Sequence, residues 1–262
     1  MTTVTRHAPG TFCWADLATS DRDGARAFYT KLFGWETFDD EMMPGEPYVL
    51  FRNAGRDVGA MYRLQPGVHP EGTPAHWLPY VAVMSADRAA ARAVELGGRE
   101  LMPPTDAHDH GRMAVVQDPT GAGFAVWEAK KNPGAQVLGE PGSIAYMQLN
   151  ANQPEQARAF YTGLFEWQSR EDVMDQGGSY TTWLAGAEPR GGMMPMPPGM
   201  SAPSHWIVYF GADDVDASAQ LAQTLGGRQY VPPTDIPGVG RFAVLSDPQG
   251  AAFAVVRFNA VS

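Results

Sequence analysis

Along TFCWADLATSDRDGARAFYTKLFGW, residues 11–35, the spacing of apolar positions changes once. TFCWADLA alternates, with Phe12, Trp14 and Asp16 on one face and Cys13, Ala15 and Leu17 on the other, which is the period of a strand. After Ser20-Asp21, residues suited to an N-cap, the spacing becomes helical. Ala25, Phe28, Leu32 and Phe33 form an apolar stripe that Gly34 can end. YVLFRN and DVGAMYR follow as strand candidates around an Asn-Ala-Gly turn. The order then restarts with a strand HWLPYVAV, a helix DRAAARAVELGG, and strands RMAVVQD and AGFAVWEA about a DPTG turn. The predicted unit is strand–helix–strand–strand–strand.

The whole pattern occurs again. ARAFYT stands at 25–30 and at 157–162, HWLPYVAV (76–83) parallels HWIVYFGA (205–212), and ELGGRELMPPTD parallels TLGGRQYVPPTD. Fifteen of the twenty-five positions in 103–127 are identical in 232–256, so the two stretches are copies of one sequence. In the second copy Pro154 sits where a first helical turn accepts proline. The units expected are residues 8–130, a linker at 131–141 and residues 142–260. KNPGAQVLGEPG, where the copies join, is rich in Pro and Gly and carries no period.

Composition narrows the partners. A net charge of −10 with a pI near 5.0 argues against nucleic acid and anionic membrane, which need clustered Lys and Arg. No apolar run approaches the roughly 20 residues of a membrane span, and MTTVTRHAPG lacks the apolar segment of a secretory signal. The single cysteine, Cys13, excludes an intrachain disulfide framework. A cytoplasmic protein is expected.

AFYTKLFGW and AFYTGLFEW in the helices, LGG after the next helix, and DPTGAGFAVW and DPQGAAFAVV in the last hairpins carry a resemblance. The chain resembles the vicinal-oxygen-chelate superfamily, which holds glyoxalase I, extradiol dioxygenases and the fosfomycin and bleomycin resistance proteins. The resemblance implies an α+β fold of four βαβββ modules, paired into two glyoxalase-like domains. Each domain would curve a mixed sheet into a cup for a ligand. The twin-domain form looks like actinobacterial proteins often labelled hydroxylases, including accessory proteins of anthracycline-type antibiotic pathways.

Metal-binding members of that family draw ligands from the first and fourth strands of each module, with a Glu in the pattern Asp-Pro-x-Gly-x-x-Phe/Ile-Glu-Leu. Here that Glu is replaced by Ala125 and Ala254, and VGAMY (58–62) and RGGMM (190–194) offer neither carboxylate nor imidazole. The first-strand positions fall on Trp14, Tyr146, Leu78 and Ile207. No metal and no other cofactor is expected; the chain has no flavin or nicotinamide fingerprint and no iron ligands. The tight group Asp106, His108, Asp109 and His110 looks metal-like by itself. Its counterpart, however, keeps PPTD and GR while His108, Asp109 and His110 become Pro237, Gly238 and Val239, so a solvent-facing loop near the cup's mouth is expected.

By strand alternation the first cup collects Trp14, Asp16, His76, Leu78, Tyr80 and Trp127, and the second Tyr146, Gln148, His205, Ile207, Tyr209 and Val256. GGMMPMPPGM adds four methionines, which adapt to irregular shapes and touch aromatic rings favourably. Asp16 could be a general base, an anchor for a ligand hydroxyl, or a partner of a neighbouring strand. His76 and His205 read as strand-entrance residues or as a proton relay. Arg112 and Arg241 are expected to pair with an Asp of the PPTD loop, and Asp118 and Asp247 to serve their turns only. Two functions remain open. One is metal-independent binding of a hydrophobic, aromatic small molecule, with a pathway enzyme as a further partner in an accessory role. The other is catalysis by Asp16 and His76, as a glyoxalase-like lyase or a cofactor-independent oxygenase.

Overall fold

A computed structural model describes the chain except residues 1–2, 44–45, 66–68, 70, 175–177, 187, 198, 200–201 and 260–262; Met200 of the methionine-rich stretch lies outside it. The first half runs β1 (Phe12–Thr19), α1 (Arg22–Phe33), β2 (Glu36–Met43), β3 (Glu46–Asn53), β4 (Arg56–Arg63), β5 (His76–Ala82), α2 (Ala86–Glu95), β6 (Arg99–Ala107), β7 (Gly111–Gln117) and β8 (Gly123–Ala129). The second half repeats it with β9 (Ile144–Ala151), α3 (Pro154–Phe165), β10 (Gln168–Val173), β11 (Ser179–Ala185), β12 (Glu188–Pro195), β13 (His205–Gly211), α4 (Val215–Thr224), β14 (Arg228–Ile236), β15 (Gly240–Ser246) and β16 (Ala252–Phe258). Each half is one eight-stranded sheet, ordered β2-β3-β4-β1-β5-β8-β7-β6 and β10-β11-β12-β9-β13-β16-β15-β14. β1 runs parallel to β4 and antiparallel to β5, so the two modules of a half join at their first strands.

The helix ends follow their chemistry. Asp21 caps α1 by accepting from the Gly24 amide, and Gly34 closes it at φ +70°. In α3, Pro154 occupies the first turn and Gln153 makes no side-chain cap. Glu166 takes the left-handed closing position at φ +58°, where a side chain is strained.

One reading is corrected here. PPTD is not a loop: Pro103 to Asp106 and Pro232 to Asp235 lie in β6 and β14, the edge strands of their sheets. An edge tolerates proline because half its backbone groups need no ladder partner, and the register shifts at these prolines show the local cost. The joining segment packs against the first half. Ala135 and Val137 are buried, the Ala135 amide donates to the Cys13 carbonyl, and the Gln136 amide donates to the Asp57 carbonyl.

The halves share one core. Tyr29 of α1 donates its hydroxyl to Asp247 Oδ2 (3.1 Å) and accepts from Trp77 Nε1 (2.9 Å). The mirror set is Tyr161 of α3 donating to Asp118 Oδ2 (3.0 Å) and accepting from Trp206 Nε1 (3.0 Å). Asp118 and Asp247 therefore do more than hold turns. Oδ1 of each takes the turn's backbone amides, and Oδ2 takes a phenol from the other half. Trp35 Nε1 donates to the Gly142 carbonyl and Trp167 Nε1 to that of Gly10, while Phe12 meets Trp206 edge-on at 5.1 Å. Phe12 and Trp206 lie on the sheet faces opposite Asp16 and Gln148: plain alternation put Phe12 with Trp14 and Asp16, but the register shifts between Phe12 and Trp14, and this bulge turns Phe12 to the other face.

Candidate functional site

The register of the first sheet decides what surrounds Asp16. It pairs with Ala60 of β4 on one side and Leu78 of β5 on the other, Trp14 pairs with Tyr80, and Tyr80 with Ala125 of β8. Leu50 of β3 pairs with Ala60, which puts Tyr48, two residues earlier, on the same face. Asp16 is 2% exposed, and three neutral donors hold it. Trp14 Nε1 donates to Oδ1 (2.7 Å), the Tyr48 hydroxyl to Oδ1 (2.6 Å) and the Tyr80 hydroxyl to Oδ2 (2.7 Å). Trp14 Nε1 also reaches the Tyr48 oxygen at 3.0 Å. Burial pushes the carboxyl above the usual range, against the pull of the three hydrogen bonds. The same burial, with the nearby Asp16 charge, pushes the phenols of Tyr48, Tyr62 and Tyr80 up.

Of the residues chosen from sequence, Trp14, Asp16, Leu78, Tyr80 and Trp127 are gathered on this face and all are buried. They form the floor. Trp127 meets Tyr80 edge-on at 6.4 Å and donates Nε1 to the Asn132 carbonyl. The half-buried wall is made largely of residues that alternation in single strands did not select: Tyr48, Tyr62, His69 and Met113, together with His76. Tyr62 stacks on His69 at 5.7 Å. The signal for Tyr48 was present in the repeat, since EPYVLF and GSYTTW both carry a tyrosine there.

The histidines have defined roles. His76 Nδ1 lies 2.8 Å from the Pro74 carbonyl, which can only accept, so Nδ1 carries the proton and Nε2 of the neutral ring is left as the acceptor. Burial lowers its pKa, with the Pro74 bond opposing and His69 adding to the lowering. His205 Nδ1 repeats the bond with the Pro203 carbonyl at 2.9 Å.

The second cup is built to the same register but is neutral. Gln148 lies between Gly192 and Ile207, and Tyr146 pairs with Tyr209. The hydroxyls of Tyr180 and Tyr209 donate to Gln148 Oε1 at 3.4 and 3.2 Å, and that of Tyr180 also donates to the Tyr146 oxygen at 3.2 Å. A Cβ at position 192 would stand 2.1 Å from the Tyr180 hydroxyl, so only glycine leaves these phenols room. Gln148 Nε2 donates to Asn150 Oδ1 (3.0 Å), and Asn150 Nδ2 donates to His205 Nε2 (3.3 Å). Ile207, Tyr209, Ala254 and Val256 make a small apolar cluster of their own beneath.

The remaining candidates lie elsewhere. His108 is exposed in the turn between β6 and β7, Asp109 pairs with Lys131, and Asp106 pairs with Lys130 (2.8 Å). Arg112 and Arg241 do approach Asp106 and Asp235, but each makes its two-pronged contact with the first turn of the helix that precedes its own hairpin, with Asp87 of α2 and Asp216 of α4 respectively. An open groove of about 460 Å³ runs between Ile236, Arg241, Arg257 and Phe258. Its arginines are already engaged, Arg257 by the Asp213 carbonyl, and it holds none of the residues that distinguish the two halves' cups.

A profile of the Glyoxalase/Bleomycin resistance protein/Dioxygenase superfamily matches residues 11–126 and 143–255, and the chain belongs to that superfamily. It is 41% identical over 250 residues to CFP32 of Mycobacterium tuberculosis, a glyoxylase by name, covering 95% of each chain. It is 36% identical over 266 residues to the anthracycline biosynthesis protein DnrV of Streptomyces peucetius, covering 98% of this chain and 96% of that one. The fold is similar to the Mn(II)-bound glyoxalase from Novosphingobium aromaticivorans (TM-score 0.66, 16% identity, 95% and 82% of the two chains). It is also similar to the 2,3-dioxygenase LapB from Pseudomonas sp. KL28 (TM-score 0.64, 14% identity, 99% and 95%). No helix among the described residues is long and apolar enough to cross a membrane.

The donor set of the cups does not fit a divalent cation of the kind the manganese glyoxalase holds. Such an ion takes several N or O lone pairs at about 2.0–2.5 Å. In the first cup the one carboxylate already receives three donors, and its neighbours Ala60, Leu78 and Ala125 offer no ligand atom. In the second, the Gln148 carbonyl is taken by two phenols. Among the described residues no three His, Cys, Asp or Glu side chains converge to hold a metal.

Proposed function

We propose that the cup of the first half binds a hydrophobic, aromatic small molecule without the help of a metal ion. The observation that carries this is the Asp16 cluster, a carboxylate whose oxygens are occupied by Trp14, Tyr48 and Tyr80 at the floor of an aromatic cup. Such a floor anchors a polar group of a ligand, while Trp14, Tyr62, Tyr80 and Trp127 supply rings for a planar body. Similarity to an anthracycline biosynthesis protein supports an accessory role in secondary metabolism, capturing or delivering a compound to a pathway enzyme. The test is calorimetric titration with planar aromatic polyketides, alongside metal analysis of the purified protein. Binding to metal-free protein that Trp14→Ala weakens is the expected result; binding that appears only with bound Fe, Ni, Mn or Zn overturns the reading.

A second reading has its own support. Burial raises the pKa of Asp16 and its counterpart is the amide Gln148, so at this position only the first cup holds a carboxylate able to act as a base. In that reading Asp16 and His76 serve a lyase or a cofactor-independent hydroxylase. Loss of turnover in Asp16→Asn but not in Gln148→Ala, at unchanged ligand affinity, distinguishes it from binding alone.

A further inference from the structure

One slot of the fold is filled in the first half and open in the second. At the end of the β6–β7–β8 ladder, Ala107, Gly111 and Ala129 pair in a single row. The glycine leaves the middle of that row bare, and the ring of Trp127 lies over it: a Cβ on Gly111 would stand 2.3 Å from Trp127 Cζ2 and 2.6 Å from Cη2. The matching row of the second half is Ile236, Gly240 and Phe258. Its middle is bare again, because a Cβ on Gly240 would meet the Arg257 carbonyl oxygen at 2.2 Å, but the counterpart of Trp127 is Val256, which has no ring to lay there. The space stays open as the groove of about 460 Å³ that Ile236, Gly240 and Phe258 line. That volume falls within the roughly 300–1,000 Å³ of small-molecule sites. The walls change with the filling. Alanines flank the resident indole, whereas Ile236 and Phe258, 41% and 45% exposed, flank the empty slot. Phe258 does not take the indole's place, since its ring turns edge-on to Tyr146 of the second cup at 6.2 Å.

We propose that this slot is a second binding site, which takes the planar aromatic body of a small molecule where the first half lays Trp127. It stands in the half opposite Asp16 and does not depend on that cup. Ile236 and Phe258 belong to the strands on either side of β15, two strand spacings or about 9–10 Å apart. A flat ring between two walls needs about 3.5–4.0 Å on each face, so one layer of ring fits and a puckered saturated body is too thick. Trp127 sets the size, a fused pair of rings. Such a ligand covers two large apolar side chains that otherwise face water, which favours its binding. The charged groups at the groove are engaged within the protein, Arg241 by Asp216 and Asp235 and Arg257 at the Asp213 carbonyl, so recognition rests on the ring and not on charge.

The test titrates the full chain with 2-naphthol and with its saturated counterpart, decahydro-2-naphthol, by calorimetry. Wild type binds the saturated compound at least about tenfold more weakly than 2-naphthol. Trp14→Ala, which weakens the first cup, still binds 2-naphthol at the slot. In that background Val256→Trp, which copies the first half's indole into the slot, abolishes the binding, and Phe258→Ala, which removes one wall, weakens it about three- to tenfold. Thermal melts establish that each variant is folded; should those carrying Trp14→Ala or Val256→Trp not fold, Phe258→Ala alone, a change at an exposed side chain, decides. Equal binding of the two compounds, or 2-naphthol binding untouched by both slot substitutions, overturns the proposal. Loss of all 2-naphthol binding in folded Trp14→Ala also overturns it, and places the aromatic ligand in the first cup alone. Absence of 2-naphthol binding to wild type overturns the slot as well, whatever the polyketide titrations of the first cup show.

Discussion

Tyr29→Phe removes one oxygen from the core shared by the two halves, and its cost can be worked from the contacts. The ring stays, so the edge-on packing against Trp77 at 5.3 Å and against Phe28 at 5.0 Å is kept and no cavity opens. What goes is a donor to Asp247 Oδ2 and an acceptor for Trp77 Nε1. Asp247 keeps the Gln249 and Ala251 amides, but both bind Oδ1. Trp77 is 3% exposed and Asp247 1%, so water does not readily replace the lost hydroxyl. A buried group left without its partner costs about 1–3 kcal/mol, so two such groups cost about 2–6 kcal/mol. For a chain of this size each kcal/mol moves Tm by about 2–4 °C, which makes a fall of about 4–24 °C. Differential scanning calorimetry measures it. Because the contact ties α1 to the far half, the wild type should melt in one transition, and Tyr161→Phe should match Tyr29→Phe through Asp118 and Trp206. A Tm within about 1 °C of wild type in both variants, or two separate wild-type transitions, would refute the shared lock.

Asp16→Asn should stabilise the protein at neutral pH. A carboxyl raised in the folded state contributes stability that is present below its unfolded pKa, near 3.8, and is lost as pH rises through the folded value. Each unit of the raise is worth about 1.4 kcal/mol, so the Tm advantage of Asp16→Asn should be greatest at pH 7–8 and close towards pH 4; an advantage independent of pH contradicts this. Glu166→Gly should raise stability by about 0.5–1 kcal/mol, the relief of left-handed strain less the added freedom of the unfolded chain. A lower Tm in a thermal melt would show that Glu166 makes a compensating contact. Cys13 is fully buried and burial pushes its thiol up, so Ellman's reagent should label the native chain only as fast as it opens, and the denatured chain at once.

Much of this molecule was legible in the residues. Alternation in TFCWADLA and HWLPYVAV assigned Trp14, Asp16, Leu78 and Tyr80 to one face, and the sheet keeps that assignment because a strand's side chains can point only two ways. The caps and apolar stripe placed α1, and the repeat disclosed that everything occurs twice. Polar β2, ETFDDEMM, and the proline-bearing β6 were not placed as strands, because an edge strand neither buries two faces nor fills every hydrogen bond. Tertiary structure alone decided which residues meet Asp16. Tyr48 arrives from 32 residues away and Tyr80 from 64, through a strand order and register that no local period encodes. It alone decided that Tyr29 meets Asp247, 218 residues distant, and so gave the turn aspartates a second task. Local spacing fixes the face on which a side chain stands; the pairing of distant strands fixes its neighbours, and in these cups the neighbours set the charge, the protonation and the room left for a ligand.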